Sequence, residues 1–306
     1  MSPKNQTVIN EFQLLAFGDL HRFKVVVFLM FVIIFILTII GNLLLIILVS
    51  KCCVLHSPMY YFLCHLSVGD ILLSVNIVPN ILRASLMGGA KIKFFNCFTQ
   101  LYFYSGATVT ECFLLSVMSY DRYVAICFPL HYTSIMDFNT RVHLMAWPWI
   151  LGFTVNFIGM GIITNFDFCK DHIIDHFYCD FAPLQKISCS DTSLIERIIF
   201  VFSTPIFIVP CGLIVISYIS IFLTILRIPS TAGKQKAFST CSSHLIVVGM
   251  FYGTLITKYM TPSQGHSLLV NKIISLVHTV FTPMVNPLIY SFRNQDIRRL
   301  IKRFMS

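Results

Sequence analysis

The sequence predicts an all-α membrane protein, a seven-transmembrane helix bundle followed by a short amphipathic C-terminal helix. Two observations carry this prediction. The 306 residues are 56% hydrophobic and only 11% charged, whereas a soluble domain carries about 25% charged residues. The chain also contains seven long apolar runs, each close to the ~20 residues that a helix needs to cross the hydrocarbon core of a bilayer.

The seven predicted spans follow one another with mostly short connections. Runs of this length that are apolar on all sides favour helices over the short alternating strands of a β-barrel. The first span is almost unbroken in its apolar character and the third is the most polar. The longest segments outside the spans are the N-terminus and the connection between the fourth and fifth spans. The spans are 25–49, 58–82, 98–127, 142–164, 198–227, 237–260 and 271–291.

The orientation of the bundle is predicted from a sequon and from the cysteines. Lys and Arg divide evenly between the two sides and do not decide it. Asn5 begins a glycosylation sequon, and Cys97, Cys169, Cys179 and Cys189 all lie on the N-terminal side. Disulfides persist in oxidising compartments, so we expect this side to be extracellular. Three pairings of these four cysteines are possible.

Three regions follow from this orientation: an extracellular N-terminus (1–24), the transmembrane domain (25–291), and a cytoplasmic amphipathic helix and tail (292–306). The plasma membrane is the expected location. The tail interleaves basic and apolar residues, as expected for a helix on the inner membrane surface. The formal net charge of +9 is dispersed between apolar runs, which suits anionic lipid and argues against nucleic-acid binding.

Two acidic residues lie in the middle of predicted spans, Asp70 in the second and Glu111 in the third. Charges at bilayer depth are costly and therefore mark candidate functional sites. Two nearby carboxylates cannot both stay ionised without a cation. One interpretation is a sodium site to which Asn42 and Asn286 add oxygen ligands. The equally weighted alternative is a protonated carboxyl group in a buried hydrogen-bond network.

Polar residues also recur at helical spacing in the third, sixth and seventh spans, which places them on single helix faces. Such faces must point into the bundle, so together they favour an internal cavity. At the inner end of the third span, Asp121 and Arg122 form either a solvated pair or a lock that opens when helices move. The stripes comprise Tyr104, Thr108, Glu111 and Leu115; Tyr252, Leu255 and Tyr259; and Thr279, Pro283, Asn286 and Tyr290.

Several motifs, taken in order along the whole chain, resemble those of rhodopsin-like G-protein-coupled receptors and, within them, odorant receptors. Phe251–Thr254 replaces the Trp-and-Pro pattern of the wider superfamily, as it does in odorant receptors. The motifs are Gly41-Asn42, Leu55–Tyr60, Leu66–Asp70, Met118–Cys127, Pro129–Tyr132, Lys236–Leu245 and Pro283–Asn294.

The resemblance implies two disulfides, Cys97–Cys179 and Cys169–Cys189, and an allosteric sodium ion at Asp70 and Glu111, with no required cofactor. It implies activation of a stimulatory, olfactory-type heterotrimeric G-protein and a rise in cAMP. The implied switch residues are Asp121, Arg122, Tyr123, Asn286, Pro287 and Tyr290. The implied ligand pocket comprises Tyr104, Ser105, Thr108, Val109, Cys112, Phe202, Ile206, Phe207, Tyr252, Leu255, Ile256, Tyr259 and Thr279.

The chemistry of this pocket suggests small organic ligands. Tyr104 stands where amine receptors of the superfamily carry an Asp, and the lining is aromatic and aliphatic with scattered hydroxyls, as is typical of small-molecule cavities. Lys258 could attract an acid near the mouth, but we favour a side chain that snorkels to the interface. The main alternative is a transporter or channel, although the sequence shows no internal repeat. No catalytic motif indicates an enzyme.

Overall fold

The structure of the protein, a computed structural model, describes residues 10–18, 21–52, 57–164, 166–168, 172–189, 193–260 and 268–293. Most of this part of the chain is helical. Short turns of other helix types lie at His21–Phe23 (3-10) and Val277–Phe281 (π). The α-helices are α1 (Lys24–Lys51), α2 (Pro58–Met87), α3 (Phe94–Cys127), α4 (Tyr132–Ile135), α5 (Phe138–Ile163), α6 (Phe181–Ile187), α7 (Ser193–Arg227), α8 (Thr231–Met260), α9 (Leu268–Leu276) and α10 (Thr282–Arg293).

Seven long helical units correspond to the seven predicted spans: α1, α2, α3, α5, α7, α8 and the α9–π–α10 unit. Within the described residues, six units are long and apolar enough to cross a membrane. The exception is α8, which has 30 residues but carries several Ser, Thr and Lys residues. A bundle of membrane-spanning helices confirms the predicted fold class. The described helices also extend past the predicted spans, because helical backbone continues into the polar ends of the apolar runs.

Helix α3 lies at the centre of the bundle and packs against α2, α5 and α7. Its close contact with α5 depends on a small residue, as is common where membrane helices approach each other. A Cβ atom on Gly152 of α5 would lie 2.5 Å from the Thr110 hydroxyl oxygen and 2.8 Å from the Gly106 carbonyl oxygen. Only glycine fits at this position without a shift of α3.

The seventh span is interrupted by the π turn at Val277–Phe281. Pro283 follows the turn and has no backbone N–H to donate, which disturbs regular α-helical bonding. The Thr282 hydroxyl donates instead to the Val277 carbonyl oxygen at 2.9 Å. The turn places His278 and Thr279 in the interior of the bundle, where both are buried.

A small sheet covers the outer end of the bundle, and the all-α prediction did not include it. Its strands are β1 (Glu11–Leu14), β2 (Ala90–Lys93) and β3 (Ile173–Ile174) in the order β2-β1-β3. The β1 strand pairs antiparallel with β2 and parallel with β3. Alternate residues of β1 are buried, so the N-terminal segment is tied to two distant parts of the chain. Asn5 and the predicted tail helix beyond residue 293 lie outside the described residues.

Candidate functional site

The connection between α5 and α7 folds over the outer end of the bundle. Cys179 in this connection forms a disulfide with Cys97 of α3, as the resemblance implied. The Cys179 N–H donates to the Gln100 side-chain oxygen at 2.9 Å, and Gln100 exchanges two 2.8 Å hydrogen bonds with Asn76 of α2. One covalent bond and one hydrogen bond thus join the connection to α3, and two further hydrogen bonds join α3 to α2. Cys189 is also disulfide-bonded, whereas Cys169 lies outside the described residues.

Lys258 of α8 contacts the same connection, in a buried polar cluster. Its ammonium lies 2.8 Å from an Asp180 carboxylate oxygen and donates to the hydroxyls of Tyr104 at 2.8 Å and Tyr178 at 2.6 Å. Only 9% of the Lys258 side chain is exposed. The favoured interpretation of Lys258 as a snorkelling residue was therefore wrong, because an acidic partner from the connection allows the ammonium to stay buried.

The charges of this cluster determine how its groups titrate. Burial alone would raise the pKa of the Asp180 carboxyl, but the Lys258 ammonium and His176 outweigh burial and lower the pKa below its ordinary value. Burial lowers the pKa of the His176 imidazole to about 3, since the opposing effect of Asp180 is smaller and Lys258 and Lys272 lower the pKa further. At neutral pH the cluster therefore holds an ionised carboxylate and a neutral imidazole.

A second ion pair joins the connection to α9. The Lys272 ammonium donates to an Asp175 carboxylate oxygen. The Asp175 side chain is 39% exposed, so this pair lies at the rim, whereas the Lys258–Asp180 pair lies deeper. The connection is consequently attached to α3, α8 and α9 at three separate points.

Most of the predicted pocket residues are buried in the bundle. Ser105, Ile206 and Phe207 are half-buried. The Tyr252 hydroxyl donates to the Cys112 carbonyl oxygen at 3.1 Å, which joins α8 to α3 below the cluster. The fully buried members are Tyr104, Thr108, Val109, Cys112, Tyr252, Leu255 and Thr279.

Two predicted pocket residues point away from the others. Phe202 of α7 is 69% exposed and Ile256 of α8 is 52% exposed. Both side chains lie on the outward surface of their helices. Other positions of the same helices face inward, since Phe207 of α7 is half-buried and Leu255 of α8 is buried. These two residues therefore do not line the buried interior with the other predicted pocket residues. Tyr259 lies in α8, and its side chain lies outside the described part of the chain.

A polar group lies deeper in the bundle around Asp70 and Glu111. The Asn286 side-chain NH2 donates to both Asp70 carboxylate oxygens, at 3.0 and 3.1 Å. The Asn42 NH2 donates to the Pro283 carbonyl oxygen at 3.1 Å. Within the described residues, one Glu111 carboxylate oxygen and the side-chain oxygens of Asn42 and Asn286 are buried without a hydrogen-bond partner. Such acceptors need an explanation in a native interior.

The inner end of α3 carries three of the predicted switch residues, and the other three lie on α10. The Arg122 guanidinium is ion-paired with Asp121, and the Tyr132 hydroxyl of α4 donates to the other Asp121 oxygen at 2.7 Å. Tyr123 packs beside Ile221 and Ile225 of α7. Pro287 lies beside Gly41 of α1, where a Cβ atom would come within 3.1 Å of the proline ring.

Tyr290 completes the set at this end. Its hydroxyl is buried and has no hydrogen-bond partner among the described residues. Beside it in the same apolar cluster lies Tyr218, whose hydroxyl is 2.7 Å from the His244 ring nitrogen. The switch residues of α3 thus lie at the inner end of the bundle, Asn286 lies with Asp70 in its middle, and the Tyr290 hydroxyl is bonded to neither group.

Asp180, Tyr178 and His278 were not among the predicted site residues. His278 lies beside the cluster, with its ring 6.3 Å from the Tyr104 ring and a nitrogen 3.2 Å from the Thr254 hydroxyl. The position of Asp180 next to a predicted disulfide cysteine was the available signal. A carboxylate fixed next to Cys179 must lie near α3, where the pocket was expected.

The fold and the buried interior define a multi-pass membrane protein, and the comparisons with known proteins identify its class. A family model described as "Olfactory receptor" matches residues 31–306. Olfactory receptor 11L1 of Homo sapiens is 43% identical over 305 residues, which cover 100% of this chain and 95% of the relative. Olfactory receptor 1468 of Rattus norvegicus is 42% identical over 305 residues, which cover 100% and 97%.

The chain is therefore a receptor of the G-protein-coupled class and not an enzyme. It belongs to the olfactory receptor family. This confirms the resemblance that the sequence motifs indicated.

Proposed function

We propose that the protein binds small, mainly apolar organic odorants between the outer halves of α3, α7, α8 and the π turn. The observation that carries the proposal is the buried set that joins these helices below the Asp180–Lys258 cluster. Tyr104, Leu255 and Thr279 come from three different helical units, and each is at most 3% exposed. A mostly apolar interior with a few polar groups is typical of small-molecule sites.

The hydroxyl groups in this region support binding by shape more than by hydrogen bonds. The Thr108 hydroxyl donates to the Tyr104 carbonyl oxygen at 2.9 Å, and the Thr279 hydroxyl donates to the Ser275 carbonyl oxygen at 2.8 Å. These donors are already used within their own helices. A ligand is therefore held by dispersion and one or two hydrogen bonds, and a ligand with few atoms binds with modest affinity.

We further propose that bound odorant shifts the bundle towards a state that activates a stimulatory, olfactory-type G-protein and raises cAMP. A ligand shifts such an equilibrium only by its difference in affinity for the two states. In the described state Arg122 is paired with Asp121. Release of Arg122 would supply a cation to the G-protein, and rearrangement of Asn286, Pro287 and Tyr290 would accompany it.

The group around Asp70 and Glu111 fits an allosteric sodium ion. Hard cations prefer oxygen ligands, and the partnerless oxygens of Glu111, Asn42 and Asn286 are of that type. Asp70 supplies further negative charge at the same depth. The ion would link α1, α2, α3 and α10 through these four residues.

We propose an extracellular N-terminus and a cytoplasmic C-terminus at the plasma membrane. The Cys97–Cys179 disulfide supports this orientation, because disulfides persist in oxidising compartments. Epitope tags at the two ends test it in intact and permeabilised cells. An N-terminal tag that antibody reaches only after permeabilisation would refute this topology.

The ligand pocket is tested with two neighbouring residues of α8. Cells that express the full chain are screened for cAMP responses to a chemically diverse odorant panel. With an identified agonist, Leu255→Ala should raise the half-maximal concentration by about tenfold, equivalent to one buried hydrophobic contact. Ile256→Ala is the matched control, because that side chain faces outward. Equal sensitivity of both variants, at equal surface levels, would contradict the proposed pocket.

G-protein coupling is tested separately with Arg122→Ala. This variant should reach the cell surface and lose agonist-driven cAMP. Retained signalling at wild-type surface levels would remove Arg122 from the proposed switch.

A further inference from the structure

The Asp180 carboxylate lies at the outer end of the proposed pocket and faces into the bundle. It is 2.8 Å from the Lys258 ammonium, and only 6% of its side chain is exposed. Tyr104, a member of the proposed pocket, contacts the same ammonium through its hydroxyl. An odorant bound beside Tyr104 would therefore lie close to the charge of the Lys258 ammonium.

An ammonium at this depth would by itself attract an anionic ligand. A lysine ammonium has three donors and no acceptor, and a buried charge requires a partner. In this chain the partner is an internal group. Asp180, Tyr104 and Tyr178 accept from Lys258, so a carboxylate from solution would have to displace one of them.

The structure holds Asp180 in this position from both sides. Cys179 precedes it and is covalently bound to α3. Phe181 follows it as the first residue of α6, and its N–H donates to the second Asp180 oxygen at 2.9 Å. A group that is tethered next to its partner acts at an effective concentration of the order of millimolar or higher. Free carboxylates at lower concentrations cannot compete with it.

We propose that Asp180 is an internal counter-ion that determines the ligand class of the receptor. With Asp180 present, Lys258 is neutralised and the pocket accepts neutral odorants such as aldehydes, ketones, alcohols and esters. Without the Asp180 charge, the same ammonium binds carboxylates. This inference rests on the proposed function, because it assigns a chemical class to ligands of the same pocket.

The rim pair provides a matched control within the same connection. Asp175 also pairs with a lysine, but with Lys272 of α9, whereas the ion pair of Lys258 is with Asp180. Asp175→Asn therefore removes one negative charge from the same connection and leaves Lys258 neutralised. Asp180→Asn is nearly isosteric, and an asparagine oxygen can still accept from the Phe181 N–H.

The experiment compares hexanoate with hexanal and hexanol on the full-length receptor in cAMP assays. Wild type should respond to neutral members of such matched sets and not to the carboxylate. Asp180→Asn should become more sensitive to carboxylates by about tenfold or more. Asp175→Asn should not gain this response, and adding Lys258→Met to Asp180→Asn should abolish it.

Three results would overturn the proposal. They are a wild type that responds to hexanoate at concentrations as low as those of hexanal, an equal gain in Asp175→Asn, and an Asp180→Asn variant that still responds to neutral agonists but gains no response to carboxylates. If Asp180→Asn reaches the surface poorly, hexanoate in the medium should restore its surface level and hexanal should not. Failure of this rescue would also count against the proposal.

A binding measurement separates this inference from the proposed function. Hexanoate should raise the melting temperature of purified Asp180→Asn receptor and leave wild type unchanged. If neither the wild type nor any variant signals to an odorant but the variant shows this shift, the proposed signalling function fails and the counter-ion assignment stands. The absence of any shift in the variant would contradict the assignment whatever the signalling result.

Discussion

At the outer end of the bundle, a disulfide and two ion pairs fix one connection to α3, α8 and α9. In the middle of the bundle, by contrast, buried oxygens of Glu111, Asn42 and Asn286 have no donor among the described residues. The charged groups of the outer end are paired, and the exceptions there are His176 and His278, each of which has one buried ring nitrogen with no hydrogen-bond partner among the described residues. The inner groups are close together but incompletely bonded.

This difference indicates which part of the molecule is suited to change. Fully bonded polar clusters make a structure rigid, and partly bonded ones are costly. A rearrangement that supplies partners to Glu111, Asn42 or Tyr290 would gain free energy in the middle of the bundle. A similar rearrangement at the outer end would have to break existing bonds. We therefore expect ligand binding to act on a firm outer end and a more adaptable interior.

The largest effect is expected from the disulfide at the outer end. Cys97→Ser removes a bond that closes a separation of 82 residues, and loss of a native disulfide typically costs about 2–5 kcal/mol. We expect most of the surface expression to be lost, measured by flow cytometry with an N-terminal tag. Cys52→Ser is the control, because Cys52 is a free cysteine. Wild-type surface levels of Cys97→Ser would show that the outer end does not depend on this bond.

The second-largest effect is expected for the stability of the outer end of the bundle at acid pH. Burial lowers the pKa of His176 to about 3 in the folded chain, whereas an unfolded histidine has a pKa near 6.5. The unfolded state binds more protons between these values, so stability falls as the pH drops below about 6.5. From pH 7 to pH 5 the loss is about 2 kcal/mol.

The measurement is the melting temperature of the purified receptor at pH 7 and pH 5. His176→Gln should reduce the difference between the two pH values, and exposed His131→Gln should not. The pKa of Asp180 is also lowered, but this carboxyl stays ionised at pH 5, so its contribution is lost only at more acidic pH. Equal acid sensitivity of wild type and His176→Gln would contradict the assignment.

The helical part of the fold was predictable from sequence because apolar length is a local signal. Each spanning helix is a continuous run, as in α1, and needs no knowledge of its neighbours. The sheet was not predictable in this way. The four residues of β1 pair with residues near positions 92 and 173, and short strands of this kind carry little periodicity of their own.

The sequence predicts those parts of the site that lie on the faces of helices. The burial of Tyr104, Thr108 and Leu255 follows from helical spacing, whereas the outward position of Phe202 does not, because α7 is apolar on all sides. The Lys258–Asp180 pair was missed for another reason. It joins a helix to a connection whose path is set by a disulfide, so the position of Asp180 beside Cys179 indicates that it lies near α3, but helical spacing does not show that Lys258 is its partner.

A smaller effect is expected from sodium in the middle of the bundle. If the ion binds at Glu111, sodium at ten times its dissociation constant should stabilise wild type by about 1.4 kcal/mol relative to choline. Glu111→Gln should abolish this difference, measured as a shift in melting temperature. Asp137→Asn is the control, since Asp137 is an exposed cap of α5. An equal sodium effect in Glu111→Gln would favour the alternative of a protonated carboxyl group.

The smallest effect is expected from the rim pair between Asp175 and Lys272. The Asp175 side chain is 39% exposed, and partly exposed ion pairs contribute about 0.2–1 kcal/mol. A double-mutant cycle with Asp175→Asn and Lys272→Met, followed by melting temperature, measures the coupling energy. We expect it to fall in this range and to decrease at high salt, because solvent screens exposed charges. A coupling energy of several kcal/mol would show that the rim pair stabilises the connection as strongly as a buried ion pair does. That result would contradict the proposed difference between the rim and the buried cluster.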